Sequence, residues 1–300
     1  MATALTDLSD AIATLVERTS QSLVSVDARR RFPASAIVWS SDGLIVTNHH
    51  VVHRDNDIRV HLPDGSKVAA ELIGRDQTTD VALLKADTKG LTPADWTTHD
   101  ALKIGHVVVG VSNAGPGVHA SLGLISSVAG RWKTRGGGEL DAFIETDLPI
   151  ILGFSGSPLV SASGELIGIN SSALLRGASI AIPHATIARS VETLAKHGRI
   201  PQGYLGVSSY PVDLPEGFES DNGTTGGRGL LVVTVERNSP AENAGIIVGD
   251  IVVSVAGSPT RGSDTLRTSL GADTIGREID VIVVRGGEPK ALKVTVAARK

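Results

Sequence analysis

A histidine, an aspartate and a serine each stand at the edge of an apolar, strand-like run. They are His50 in Thr47-Asn48-His49-His50-Val51-Val52, Asp80 in Asp80-Val81-Ala82-Leu83-Leu84-Lys85, and Ser155 in Gly153-Phe154-Ser155-Gly156-Ser157-Pro158-Leu159. Brought together, these side chains perform acyl transfer: a hydroxyl attacks a carbonyl carbon, an imidazole takes the hydroxyl proton, and a carboxylate holds the imidazole in the receptive tautomer. Glycines on both sides of Ser155 permit a sharp turn, and the expected oxyanion donors are the backbone N–H groups of Gly153 and Ser155. A nucleophile elbow of the Gly-x-Ser-x-Gly type is excluded, because Ser157 stands where that motif needs glycine. His49, His50 and His53 form a cluster that metal sites also use. No His-Glu-x-x-His pattern or nearby carboxylate pair accompanies it, so neither a metal nor another cofactor is expected.

The chain order His, Asp, Ser is that of a chymotrypsin-like double barrel and not of subtilisin-type or α/β-hydrolase enzymes. The three segments resemble the HtrA (Deg) family of serine proteases. There they read Thr-Asn-x-His-Val-Val, Asp-x-Ala-x-Leu-Lys and Gly-Asn-Ser-Gly-Gly-Pro-Leu, and a PDZ domain follows. Leu102-Lys103-Ile104-Gly105, Gly123-Leu124-Ile125-Ser126, Glu145-Thr146-Asp147 and Ala181-Ile182-Pro183 are similar to further family segments in the same order. The resemblance covers roughly residues 20–298.

That resemblance selects His50 over His49, and Asp80 over Asp76, which lies four residues earlier. It implies an ATP-independent serine endopeptidase acting on unfolded or misfolded proteins, and a homotrimeric assembly. In trypsin-like enzymes the position six before the nucleophile forms the pocket floor. Here that is Pro149, with Leu148, Ile150 and Ile151 beside it, so small or medium aliphatic side chains are expected before the cut. Tyr204-Leu205-Gly206-Val207 matches the family's loop that binds a peptide C-terminus. Arg131-Trp132-Lys133-Thr134-Arg135 and the glycines to 138 fall where the family has a regulatory loop. Two residues depart from the pattern: Phe154 replaces asparagine and Ser157 replaces glycine. Phe154 is expected to reshape the cleft rim and Ser157 to restrict the backbone. They support a rival reading, a catalytically weak pseudoprotease or holdase that binds client peptides through its PDZ domain.

Composition sets the frame. The 300 residues suit two domains, 41% are hydrophobic, 20% are charged and none is cysteine, which is ordinary for a globular protein without disulfides. Aromatic residues make up 3%, so the cores must be aliphatic. A net charge of −4 gives no footprint for nucleic acid. No apolar run reaches a membrane-spanning length. The first residues carry Asp7, Asp10 and Glu17 and no basic stretch. The expectation is a cytoplasmic protein as written, or a periplasmic or extracytoplasmic one if a signal segment has been removed.

The elements that position these residues are mainly β, with a chymotrypsin-like double β-barrel followed by a PDZ domain. Leu5, Leu8, Ile12 and Leu15 have helical spacing, and Thr6, Asp7 and Ser9 are candidate caps, so residues 1–22 read as an N-terminal helix. Residues 23–199 read as the trypsin-like domain. Asp42-Gly43 and Asp64-Gly65 lie between alternating apolar runs and signal hairpins. Strands are expected at 37–39, 44–47, 58–62, 68–73, 81–85, 107–111, 122–128, 143–146, 158–160, 166–170 and 178–182. A helix over 183–198 opens on Pro183 and ends at Gly198. Residues 203–300 read as the PDZ domain, carried by Ser239-Pro240-Ala241-Glu242-Asn243-Ala244-Gly245-Ile246 and Gly249-Asp250-Ile251-Val252, with a mobile loop over 216–229.

Overall fold

The computed structural model describes residues 2–30, 32–88, 90–96, 102–114, 117–149, 151, 153–214 and 227–299. They form two compact units, residues 1–134 with 139–200 and residues 201–300 with 135–138.

The first unit opens on helix α1, Ala2–Ser20. Its residues Ile12, Leu15 and Val16 pack on the core, while Leu5 and Leu8 are exposed. The helix lies within the expected 1–22 span, and Thr6, Asp7 and Ser9 lie inside it instead of capping it. Six strands follow: β1 Leu23–Asp27, β2 Ala34–Val38, β3 Leu44–Asn48, β4 Ile58–His61, β5 Lys67–Asp76 and β6 Val81–Ala86. They close into a barrel in the order β1-β2-β3-β6-β5-β4. A second barrel uses β7 Val107–Ser112, β8 His119–Ala129, β11 Phe143–Thr146, β12 Pro158–Ser161, β13 Leu166–Ser171 and β14 Ser179–Pro183, and closes in the order β11-β14-β13-β12-β7-β8. Between β8 and β11 a small hairpin pairs β9 Trp132–Lys133 with β10 Glu139–Leu140.

Alternation along the strands divides the core. Val24, Ala36, Val38, Ile45, Ala82 and Leu84 fill the first barrel, while their neighbours Leu23, Ile37, Val46, Val81 and Leu83 face outward into a second cluster. That cluster also takes Val109, Val111, Val160 and Ile169 from the second barrel. Successive residues point to opposite faces. Both faces are covered here, so the strands read as nearly continuous apolar runs. The largest fully buried side chains are all leucine or isoleucine. Helix α2, His184–His197, adds Ile187, Val191 and Leu194 to the shared cluster and ends on Gly198 in the left-handed region at φ 69°.

The second unit pairs β15 Gly203–Tyr204 with β22 Ala297–Ala298. Its main sheet runs β16 Val207–Asp213, β17 Arg228–Val235, β18 Ile251–Val255, β20 Glu278–Arg285 and β21 Glu288–Thr295, with β19 Ser258–Pro259 beside β18. Helices α3 Pro240–Asn243 and α4 Ser263–Ser269 flank it. Among the described residues strand β16 pairs only with β17 and forms an edge of that sheet. Ser239 caps α3 by accepting the Glu242 N–H, and buried Asp250 is gripped by the Arg285 guanidinium at 2.7 and 2.8 Å. The part of the expected 216–229 loop at 216–226 lies outside the described residues. No helix among the described residues is long and apolar enough to cross a membrane.

Candidate active site

Strand β3 ends at Asn48 and the chain enters one tight helical turn over His49–Val51. The local backbone at His50 is therefore a turn and not the strand its neighbours suggest. Asp80 immediately precedes β6, the partner of β3, with Asn48 opposite Val81. One ladder end thus brings His50 and Asp80 together across 30 positions. Asp80 adopts φ 62°, a left-handed conformation that aspartate tolerates better than most side chains. Two bonds secure it there, since its carbonyl accepts the His49 N–H at 3.0 Å and the Asn48 amide at 3.1 Å.

The Asp80 carboxylate is almost fully buried. Its Oδ1 accepts the His50 backbone N–H at 2.9 Å and lies 3.0 Å from His50 Nδ1, and its Oδ2 lies 2.8 Å from the same nitrogen. Oδ2 also accepts the Ser171 hydroxyl at 2.6 Å. A buried carboxylate needs such partners to remain charged. The other imidazole nitrogen, Nε2, lies 3.0 Å from Ser155 Oγ. An ionised carboxylate accepts only, so the ring proton sits on Nδ1 and Nε2 is left to accept from Ser155. This chain of contacts can transfer a proton from Ser155 to His50 while Asp80 stabilises the resulting imidazolium.

Ser155 lies in the turn before β12. Gly153 has φ +99°, and a Cβ there would lie 2.4 Å from the Ala114 Cβ. Gly156 has φ +82°, and a Cβ there would lie 2.1 Å from the Ser35 carbonyl oxygen. No other residue fits either place without displacing backbone or packed side chains. The Phe154 N–H closes the turn onto the Ile151 carbonyl at 3.2 Å, and the Gly153 carbonyl accepts the Ser35 hydroxyl at 2.7 Å.

Phe154 does not shape a rim. It is 5% exposed, and its ring packs where a Cβ on Gly110 would approach within 2.9 Å, beside Leu148. Its size and apolarity drive it inward, where it holds the turn to the second barrel. Ser157 is fully buried, and its Oγ accepts the Asn170 amide at 3.0 Å. It lies outside the left-handed region that would demand glycine. Neither departure disturbs the His50–Ser155 contact.

The remaining sequence candidates divide. Asp76 accepts from Thr78, Thr79 and Ser190, so it braces its own turn against α2 and not the imidazole. His49 is half-buried, and desolvation lowers its pKa. His53 reaches the His50 carbonyl through Nε2 at 3.0 Å. Among the described residues no cluster with metal-ligand geometry occurs. In the expected pocket, Leu148 is buried while Pro149 and Ile151 are exposed, and Ile150 lies outside the described residues. The Asp147 carboxylate accepts the Leu124 N–H at 2.6 Å.

In the second unit Leu205 is buried, and Gly206 takes φ +85°, where a Cβ would lie 2.3 Å from the Ser239 Cβ. The Tyr204 hydroxyl donates to Glu236, and Val207 begins the edge strand β16. Sequence reasoning missed three hydroxyls near the turn: Ser171 on Asp80, Ser35 on Gly153, and Ser172, whose Oγ lies 3.1 Å from Ser155 Oγ. The only signal for Ser171 and Ser172 was the pair of serines after Asn170, which has no recognisable spacing to the triad, and Ser35 carried none.

A profile described as a trypsin-like peptidase domain matches residues 34–169, and one described as a PDZ domain matches residues 203–296. A protein of Ectopseudomonas mendocina named "Probable periplasmic serine endoprotease DegP-like" is 37% identical over 269 residues, 87% of this chain and 56% of the relative. A protein of the same name from Halomonas elongata is 34% identical over 89% of this chain and 56% of its own length. The chain thus spans little more than half the length of these curated relatives. Among solved structures, an HtrA-type protease AlgW with a decapeptide aligns at TM-score 0.68 with 26% identity, covering 96% of this chain and 98% of that one. A serine endoprotease from Yersinia pestis aligns at TM-score 0.67 with 29% identity, covering 95% and 97%. The relatives' names are periplasmic, which overturns the cytoplasmic expectation drawn from the first residues. The first residues fold into α1, whose Ile12, Leu15 and Val16 pack on the core.

Proposed function

The chain belongs to the HtrA family of serine endoproteases, with a trypsin-like peptidase domain and one PDZ domain, and on that premise we propose how its residues work. Ser155 is the nucleophile, His50 the general base and then acid, and Asp80 the group that orients and stabilises the imidazole. Ser155 Oγ attacks the scissile carbonyl as its proton passes to Nε2 of His50. The oxyanion is held by the N–H groups of Gly153 and Ser155. His50 returns the proton to the leaving amine, and water repeats the sequence on the acyl-enzyme. The single observation that supports this reading is the contact chain Asp80 Oδ2–His50 Nδ1 at 2.8 Å and His50 Nε2–Ser155 Oγ at 3.0 Å. The non-cleaving rival rested on Phe154 and Ser157, and both are accommodated without altering that chain.

The proposed substrates are unfolded protein segments, cut in the periplasm without ATP after small or medium aliphatic residues. Support for that preference comes from the apolar residues Leu148, Pro149 and Ile151 and from the engagement of Asp147 with backbone. The second unit is proposed to take peptide C-termini: β16 offers an open edge for strand addition, and Tyr204, Leu205 and Gly206 lead into it with Val207 as its first residue, at the carboxylate end. The homotrimer implied by the family belongs to the same proposal.

The test is reaction with a fluorophosphonate probe and cleavage of denatured casein. Wild type should do both, and Ser155→Ala should lose both, with cleavage down by about 10⁴-fold or more. Cleavage by Ser155→Ala above a tenth of wild type would reject the mechanism. Mass-spectrometric mapping of the cuts checks the pocket, and a majority after Lys or Arg would reject it. Full-length Ser155→Ala should also bind a peptide acid more tightly than its amide by about 1.5–3 kcal/mol; equal affinities would reject the carboxylate loop.

A further inference from the structure

We propose that Ser172 is a positioning residue for the nucleophile, donating a hydrogen bond to Ser155 Oγ and holding it in its reactive orientation. The inference rests on Ser155 being the nucleophile. Ser172 follows the last residue of β13 and is half-buried, and its Oγ lies 3.1 Å from Ser155 Oγ. Proton bookkeeping gives this contact a direction. Both oxygens of Asp80 face His50 Nδ1, at 3.0 and 2.8 Å, so that nitrogen carries the ring proton. Nε2 then accepts, and Ser155 commits its only hydroxyl proton to it at 3.0 Å. A hydroxyl has one proton and two lone pairs. The proton between the two serines must therefore come from Ser172, and Ser155 retains one lone pair for attack.

Two consequences follow. Contacts from His50 and Ser172 fix the Ser155 rotamer from two directions, which raises the share of molecules poised to react. The contact also strengthens as charge develops, because a donor to an oxygen that is losing its proton becomes charge-assisted. Ser171 and Ser172 thus serve opposite ends of one relay, the first donating to Asp80 Oδ2 at 2.6 Å and the second to Ser155.

The test uses the full chain and a fluorophosphonate probe. In that reaction the Ser155 Oγ–P bond forms, the P–F bond breaks, fluoride leaves and the hydroxyl proton passes to His50 Nε2. Wild type and Ser155→Ala are compared first. Failure of wild type to label would defeat the nucleophile assignment itself, and with it this proposal. With labelling established, Ser172→Ala should lower the maximal labelling rate by about three- to tenfold, the worth of one hydrogen bond. The probe concentration at half-saturation should move by less than about twofold, since the contact does not touch the probe. Ser172→Thr keeps the hydroxyl and should return the rate to within about twofold of wild type. An unchanged rate in Ser172→Ala would overturn the proposal. So would equal losses in the Ala and Thr variants, or a loss confined to half-saturation.

Discussion

The two barrels of the first unit have the same strand number and closure, yet they secure their shares of the site differently. In the first barrel, His50 and Asp80 flank one end of the β3–β6 ladder, and the bonds to Asp80 come from residues within two positions of that end, apart from Ser171. In the second barrel, Ser155 rides on a turn that one strand bond holds, the Gly156 N–H on the Asn170 carbonyl of β13 at 3.0 Å, and that packing on both barrels completes. Phe154 ties that turn to Gly110 and Leu148, while Ser35 and Thr47 of the first barrel close around Gly153 and Gly156. A base–orienter pair can thus be set by one strand ladder, whereas the nucleophile needs packing from both barrels. The physical difference is backbone regularity: a ladder supplies most of its own hydrogen bonds, but a turn is completed by side chains and carbonyls from elsewhere.

The largest expected effect tests the ladder side. Asp80→Asn should lower kcat by on the order of 10⁴-fold, because the amide no longer enforces the Nδ1–H tautomer. Retention of a tenth of wild-type kcat would mean that His50 is oriented by something else. On the turn side, Phe154→Ala should cost about 3–5 kcal/mol of unfolding free energy in urea titration, as for a large aromatic removed from a core. A rim residue would change it by about 0.5 kcal/mol or less, so a value in that range would break the comparison.

Ser35→Ala removes two bonds across the barrels, because Ser35 Oγ donates to the Gly153 carbonyl at 2.7 Å and accepts the Asn113 N–H at 2.9 Å. It should cost about 1–3 kcal/mol of stability and reduce kcat with little change in KM, because the Gly153 carbonyl is released beside the nucleophile. A kcat equal to wild type would leave the turn's placement to Phe154 alone. The smallest effect concerns protons. Burial lowers the pKa of His49 beside the first barrel and of His184 at the start of α2. Each folded-state pKa lies below the usual histidine value, so acid protonates the unfolded chain first. That stability is present above about pH 6.5 and is lost as pH falls through the folded-state values. Melting temperature measured from pH 7.5 to 5 should fall with acidification, and His49→Gln and His184→Gln should each flatten the slope. An unchanged slope in both would mean that neither ring is buried neutral.

Much of this protein was legible in its residues because the cues are local. Asp42-Gly43 and Asp64-Gly65 set hairpins through backbone conformation alone, and the turn glycines at 153 and 156 lie where only a missing Cβ fits. The strand at 143–146 and the helix between Pro183 and Gly198 were likewise readable from period and punctuation. The order and spacing of His50, Asp80 and Ser155, with the segments between them, determined the family and the three residues to test. The rest is non-local. Nothing in composition tells whether Phe154 faces the cleft or the core, and that was decided by the space left beside Gly110 and Leu148. Family resemblance selects Asp80 over Asp76, but the partners are non-local: the β3–β6 register sets Asp80 against His50 and leaves Asp76 with Thr78, Thr79 and Ser190. Hydroxyls carry no periodic signal. Ser171 reaches Asp80 across 91 positions and Ser35 reaches Gly153 across 118. Sequence determines the backbone conformations a residue can adopt, and only tertiary packing determines which atom arrives within hydrogen-bonding distance of another.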